Sequence, residues 1–123
     1  MKQPLKTIIL EDDLMARMIL ENFCENHPDI ELKADFDDIE EAIQYLDKHE
    51  VDLVFLDIQL KNSNGFDLLS HMKSSTQVII TTGDTDIIPK AAKYGINNTL
   101  IKPITLEQFL WSVKMTEESG NLN

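Results

Sequence analysis

Only one cysteine, Cys24, occurs in the 123 residues. That excludes an internal disulfide and a cysteine-based zinc site, and a reducing cytosol is the simplest setting for such a chain. Basic residues are scarce too: 11 Lys and Arg stand against 22 Asp and Glu, giving a formal charge of −11. A surface of that sign repels nucleic acid and anionic lipid, which makes either a poor partner for this chain itself. Long apolar runs are missing. Near the N-terminus only Ile8–Leu10 follows the first lysines before three acids, so the sequence shows no signal peptide, and nothing reaches the length of a membrane span. Internal repeats, low-complexity tracts and domain linkers are also absent. What remains is an ordinary apolar content of 42% in a chain of one-domain size. A chain of that size buries roughly two-thirds of its unfolded surface.

The stretch Val51–Leu60 organises the rest. Leu53, Val54, Phe55 and Leu56 form a continuous apolar run, the pattern of a strand buried on both faces of a parallel sheet, and the run ends at Asp57. Thr7–Leu10 is a second such strand and ends in Glu11-Asp12-Asp13. Leu14–Asn26 reads as a helix with Met15, Met18, Ile19 and Phe23 on one face, stopped by Pro28. Glu31–Phe36 alternates weakly, as an edge strand does. Asp37 with Glu40 resembles a capping box opening a helix to Lys48, with Ala42, Ile43 and Leu46 inward. Lys61–Gly65 is a polar turn in which Gly65 supplies a backbone angle other residues resist, and a short helix follows over Phe66–Met72.

Gln77–Thr81 is the next strand and runs into Thr82-Gly83-Asp84. A helix over Asp86–Tyr94 carries Pro89, so it either starts late or is strained, and Gly95 caps its end. Asp84 and Asp86 read as helix N-caps. Thr99–Ile101 is a short fifth strand ending in Lys102-Pro103. Thr105 with Gln108 is a capping box for a last helix to Thr116, with Leu106, Phe109, Leu110 and Val113 inward. The alternation predicts an α/β fold: a doubly wound, five-stranded parallel sheet with helices on both faces, of flavodoxin-like topology. Residues 1–116 form the domain and 117–123 a polar tail. His27, His49 and His71 receive no chemistry, and Cys24 and Trp111 read as packing residues.

In such a fold the residues just past strands one, three, four and five share one rim: Glu11, Asp12 and Asp13, then Asp57, Thr82 and Lys102. Crowded carboxylates repel one another unless a cation is present, and a hard ion that takes a few carboxylate oxygens suits magnesium better than zinc. A nucleophilic carboxylate, a metal, a lysine and a hydroxyl are the parts that phosphoryl transfer requires.

Four motifs in order, Ile8-Ile9-Leu10-Glu11-Asp12-Asp13, Leu56-Asp57 with Gly65 a turn later, Ile79-Ile80-Thr81-Thr82-Gly83, and Lys102-Pro103, resemble the response-regulator receiver domains of two-component signalling. The resemblance covers about residues 5 to 116. It implies that Asp57 is the phosphoacceptor, that Glu11 and Asp12 are the acidic pair with Asp12 a direct magnesium ligand, and that the Gln59 carbonyl is a further ligand. It further implies that Thr82 is the switch hydroxyl, Lys102 the phosphoryl-binding cation, and the Lys102–Pro103 peptide cis. Gln59 and Asp84, each two residues past a key position, are expected to tune the lifetime of the aspartyl phosphate. Gly83 belongs to the switch loop. Where many members carry an aromatic switch residue this chain has Thr99, a departure at the readout surface.

The wording around Asp57 and Thr82 is similar to receivers that precede a LytTR-type DNA-binding domain, so the chain is either a stand-alone receiver or one from a longer regulator. The resemblance implies a cytoplasmic phosphorelay component. It takes phosphoryl from a histidine kinase or histidine phosphotransfer protein, acts on a downstream output domain or protein, and is no enzyme beyond its own phosphorylation and dephosphorylation. Two rivals are a phosphorylation-silent interaction module and a flavodoxin-type small-molecule binder. The acids in the first loop disfavour the latter, because a phosphate cradle wants bare N–H groups.

Overall fold

Side chains alternate across the two faces of every inner strand, and here both faces are apolar. Ile8, Leu10, Val54, Leu56 and Ile80 pack on one side, and Ile9, Leu53, Phe55 and Ile79 on the other. A computed structural model of the protein describes residues 3–121. In chain order it contains β1 (Leu5–Leu10), α1 (Leu14–Glu25), β2 (Ile30–Phe36), α2 (Ile39–Lys48) and β3 (Leu53–Asp57). A 3-10 segment (Gly65–His71), β4 (Gln77–Thr82), α3 (Ile87–Lys93), β5 (Thr99–Ile101) and α4 (Leu106–Asn121) follow.

The strands form one parallel sheet in the order β2-β1-β3-β4-β5. The order reverses between β1 and β3, and ligands of such sheets bind at the carboxyl ends beside that reversal. α1 and α4 cover the face that carries Phe55, where Phe55 and Phe109 stack with ring centroids 5.5 Å apart. α2, the 3-10 segment and α3 cover the other face. The expected α/β architecture is therefore the observed one.

Several local expectations need correction. α1 buries Leu20 and Cys24, while Met15, Met18 and Ile19 are exposed, so the methionine stripe is the outer face. α4 buries Phe109 and Val113, but Leu106 and Leu110 are exposed. The inward places go instead to Ser112 and Thr116, whose hydroxyls donate to the Phe109 and Ser112 carbonyls of their own helix. Trp111 is exposed rather than packed. α4 continues past Thr116 to Asn121. α2 starts at Ile39 after Asp38, with no side-chain cap, so the Asp37–Glu40 box does not form.

Other local devices form as the residues suggest. Thr105 and Gln108 make a reciprocal capping box, at 3.2 and 3.3 Å. α3 starts late, at Ile87, which places Pro89 in its first turn, where no hydrogen bond is lost. Gly95, at φ +79°, closes α3: its N–H donates to Ala92 and the Ile96 N–H to Ala91, the double bond of a Schellman motif. Asp86 precedes α3 without a side-chain cap bond, and Asp84 instead accepts the Asp86 N–H at 2.9 Å.

Candidate functional site

β1 and β3 are neighbours in register, so residues just past Leu10 and at the end of β3 meet at one rim. Glu11 lies one residue past β1 and is fully buried, and Asp57 closes β3 with 2% of its surface exposed. Glu11, Asp12 and Asp57 each offer a carboxylate oxygen, and these atoms lie within 4.8 Å of one another. Lys102 arrives one residue past β5, its N–H donating to the Thr82 carbonyl at 2.8 Å. Its Nζ stands 2.6 Å from Glu11 Oε1 and 3.3 Å from Asp57 Oδ2. The peptide bond after it, Lys102–Pro103, is cis, as expected.

Three carboxylates against one ammonium group leave the pocket short of positive charge. Burial first, then the neighbouring Asp57, pushes the Glu11 carboxyl up to about 7. Burial pulls the Lys102 ammonium the other way, but Glu11 and Asp57 outweigh it and hold that group above its ordinary value. A divalent cation relieves this imbalance directly, so the donor set fits a hard metal ion. Asp12 is the most open of the three acids, and its Oδ2 accepts the Lys61 N–H at 2.6 Å. Asp13 does a different job: exposed, it caps α1 by accepting the Ala16 N–H at 2.9 Å. The Asp13 N–H is itself taken by Glu11 Oε2, so this loop is acid-lined and not a bare-amide phosphate cradle.

Gly65 holds the loop after β3 against the end of that strand. Its φ is not positive, contrary to the expected role; the requirement is space. A Cβ there would lie 2.3 Å from the Asp57 carbonyl oxygen and 2.8 Å from Ile58 Cα. Asn64 caps the 3-10 segment by accepting the Phe66 N–H at 2.9 Å.

Thr82, buried at the end of β4, does not point its hydroxyl at Asp57. It donates to Gln59 Oε1 at 3.1 Å, and Gly83 N–H reaches the same oxygen at 3.3 Å. Gln59 N–H in turn donates to Asp57 Oδ1 at 2.9 Å, which anchors the Gln59 backbone beside that carboxylate. Thr99 stands opposite Ile80, at the far end of β5 from Lys102, half-buried and outside the cluster. The resemblance implies a place at the pocket for the Gln59 carbonyl, and its spacing two past Asp57 a position overlooking the phosphoryl group, but neither reveals that its side-chain oxygen accepts the Thr82 hydroxyl. The outer stripe of α1, Leu14, Met15, Met18 and Ile19, is the second feature missed. Two apolar stripes on one helix were the available signal, since only one of them can face the sheet. Cys24 is buried in the core, and that burial pushes its thiol up to about 12.

Residues 7–114 match the response regulator receiver domain family. Among characterised relatives, the transcriptional regulatory protein MalR of Bacillus subtilis is 29% identical over 110 residues, covering 85% of this chain and 47% of MalR. The sensory transduction protein LytT of Bacillus anthracis is 29% identical over 113 residues, covering 89% of this chain and 46% of LytT. The chain thus spans about half the length of the curated relatives it matches. Among solved structures, the response regulatory domain of protein mrkE from Klebsiella pneumoniae superposes with a TM-score of 0.86 at 21% identity, covering 97% of this chain and all of that one. A CheY-like receiver domain protein from Methanospirillum hungatei gives 0.84 at 17% identity, covering 98% and 100%. At those identities the structures speak to the fold alone.

Proposed function

We propose that this chain, which belongs to the response regulator receiver domain family, is a phosphoacceptor switch in which Asp57 takes a phosphoryl group from a phosphohistidine donor. The observation that carries the reading is the convergence of Glu11, Asp12 and Asp57 with Lys102 at the rim of the strand reversal. An Asp57 carboxylate oxygen attacks phosphorus as the donor's P–N bond breaks, and the electron pair departs on the imidazole nitrogen, which takes up a proton. Asp12, Asp57 and the Gln59 carbonyl are the groups that would hold magnesium, with Glu11 completing the acidic pair. The bound ion supplies charge that offsets the build-up on the transferring phosphoryl oxygens. Lys102 gives its contact to an oxygen of the same group, and its charge is in place beside Asp57 before the donor arrives. The Thr82 hydroxyl then moves to the phosphoryl group and biases the Thr82–Asp86 loop and α3 toward a second arrangement.

Receiver domains are signal transducers, not turnover enzymes, and self-phosphorylation and self-hydrolysis would be this chain's only chemistry. The donor is a histidine kinase or histidine phosphotransfer protein. The exposed α1 stripe beside Pro103 and Ile104 supports a docking role, because it puts an apolar surface next to the acceptor. The output is a further domain or a separate partner, and a cytoplasmic setting suits that donor. No helix among the described residues is long and apolar enough to cross a membrane. The receiver unit is residues 1–116, with 117–123 beyond it; the family match ending at 114 supports that division, while α4 itself runs on to Asn121.

The test is labelling with phosphoramidate, read by intact mass. Wild type with magnesium should gain one phosphoryl group, and Asp57→Asn, or wild type in EDTA, should gain none. A normal adduct on Asp57→Asn would remove Asp57 from the role.

A further inference from the structure

Two backbone donors fix the direction of a short hydrogen-bond chain beside the acceptor. The Asp84 N–H reaches Thr82 Oγ1 at 3.1 Å, and the Gly83 N–H reaches Gln59 Oε1 at 3.3 Å. A backbone N–H can only donate, so Thr82 Oγ1 accepts from Asp84, and the Gln59 atom facing Gly83 is the carbonyl oxygen, not the amide nitrogen. The one proton of the Thr82 hydroxyl is then left for Gln59 Oε1, 3.1 Å away. A hydroxyl has no second proton to offer. Gln59 is itself tied to the acceptor, its own N–H donating to Asp57 Oδ1 at 2.9 Å.

We propose that Gln59 is a latch: its side-chain oxygen holds the Thr82 hydroxyl in the unphosphorylated protein and competes for it with the phosphoryl group. This rests on the phosphoacceptor reading of Asp57. Switching is then an exchange of acceptors, not the filling of an unused donor. The aspartyl phosphate must draw the hydroxyl off an amide oxygen that retains the Gly83 N–H as its second partner. Because Gln59 hangs on the Asp57 carboxylate, a change at Asp57 is felt first by the residue that restrains the switch. Gln59 is in this sense a positioning residue, acting through Thr82.

Removing an ordinary hydrogen bond changes such an equilibrium by roughly two- to tenfold. Gln59→Met keeps the length of the side chain and removes the strong acceptor. Gln59→Glu keeps an acceptor at the same reach. NMR of the unphosphorylated proteins should show the Gly83 and Asp84 amide resonances of Gln59→Met displaced toward their positions in phosphoramidate-treated wild type, with a two- to tenfold larger switched fraction. Gly83 amide exchange should rise by a similar factor. Gln59→Glu should hold the resonances near the unphosphorylated positions. In a Thr82→Val background, Gln59→Met should produce no further displacement toward the phosphorylated positions. Resonances of Gln59→Met that do not move along that direction, or that move equally with and without the Thr82 hydroxyl, overturn the latch. Intact mass on the same samples separates the two levels: wild type that gains no phosphoryl group overturns the reading beneath the proposal, whatever the resonances do.

Discussion

A lysine and a threonine meet a phosphoryl group differently, so Lys102 and Thr82 should fail differently. The Lys102 charge already lies 3.3 Å from Asp57 Oδ2, where it can lower the barrier to transfer. Lys102→Ala should slow phosphoramidate labelling on the order of a hundred- to a thousandfold, the range seen when a preorganised electrostatic contact is lost. It also leaves Glu11 and Asp57, both buried, without their counter-charge, which costs about 3–5 kcal/mol in the metal-free protein. In the proposed switch Thr82 would give one hydroxyl to the product, and in the unphosphorylated protein that hydroxyl is turned to Gln59. Thr82→Ala should therefore label within a few-fold of wild type while the response of the Gly83 and Asp84 amides shrinks. Time courses by intact mass decide it: equal and complete loss of labelling in both variants contradicts the division of roles.

Among the elements, the join between β3 and the 3-10 segment leaves no room for a side chain at Gly65. A Cβ on Gly65 would meet the Asp57 carbonyl oxygen and Ile58 Cα, both backbone, so the segment must back away from β3. Gly65→Ala should cost about 2–3 kcal/mol of stability and reduce labelling with it, because Asp57 moves too. Gly95→Ala is the control: φ is +79° but the space is open, so it should cost about 1 kcal/mol and leave labelling alone. Equal melting points for Gly65→Ala and wild type would mean the close approach is relaxed in solution. Strands buried on both faces were legible in the sequence as unbroken apolar runs, and their ends placed Glu11, Asp12, Asp57 and Lys102 by topology alone. Helix facing was less legible. Leu106 and Leu110 look like core residues and are exposed, while Ser112 and Thr116 look like surface and are buried, because a hydroxyl can satisfy itself on its own helix. Gly65 was legible as necessary but for the wrong reason, since close approach depends on a neighbour that sequence spacing does not show. Gln59 marks the same boundary: its position was legible, and the target of its side chain depends on a loop conformation.

For the molecule as a whole, the acidic pocket ties stability to pH and to metal in a direction opposite to most carboxylates. A paired carboxylate usually has its pKa lowered by folding and so stabilises above its unfolded pKa. Glu11 is raised from 4.5 to about 7, so the folded protein binds its proton more tightly than the unfolded chain does. Stability from this group is therefore greatest below pH 4.5, falls as pH rises between 4.5 and 7, and stays low above. The loss between pH 5 and 7.5 should be on the order of 2 kcal/mol in EDTA. Glu11→Gln mimics the protonated form, so it should melt above wild type at pH 7.5, with the margin shrinking toward pH 5. Asp57→Asn and Asp12→Asn, which also remove charge from the pocket, should melt above wild type at pH 7.5 as well, although most substitutions destabilise. Magnesium acts on the same imbalance from the other side. At ten to a hundred times its dissociation constant it should stabilise wild type by about 1–3 kcal/mol at pH 7.5, and Asp12→Asn far less. Thermal melts in EDTA and in millimolar magnesium at pH 5 and 7.5 read every term together. If magnesium leaves the wild-type midpoint unmoved and all three variants melt lower in EDTA at pH 7.5, then Glu11, Asp12 and Asp57 do not share a metal pocket, and phosphoryl transfer at Asp57 loses its electrostatic basis.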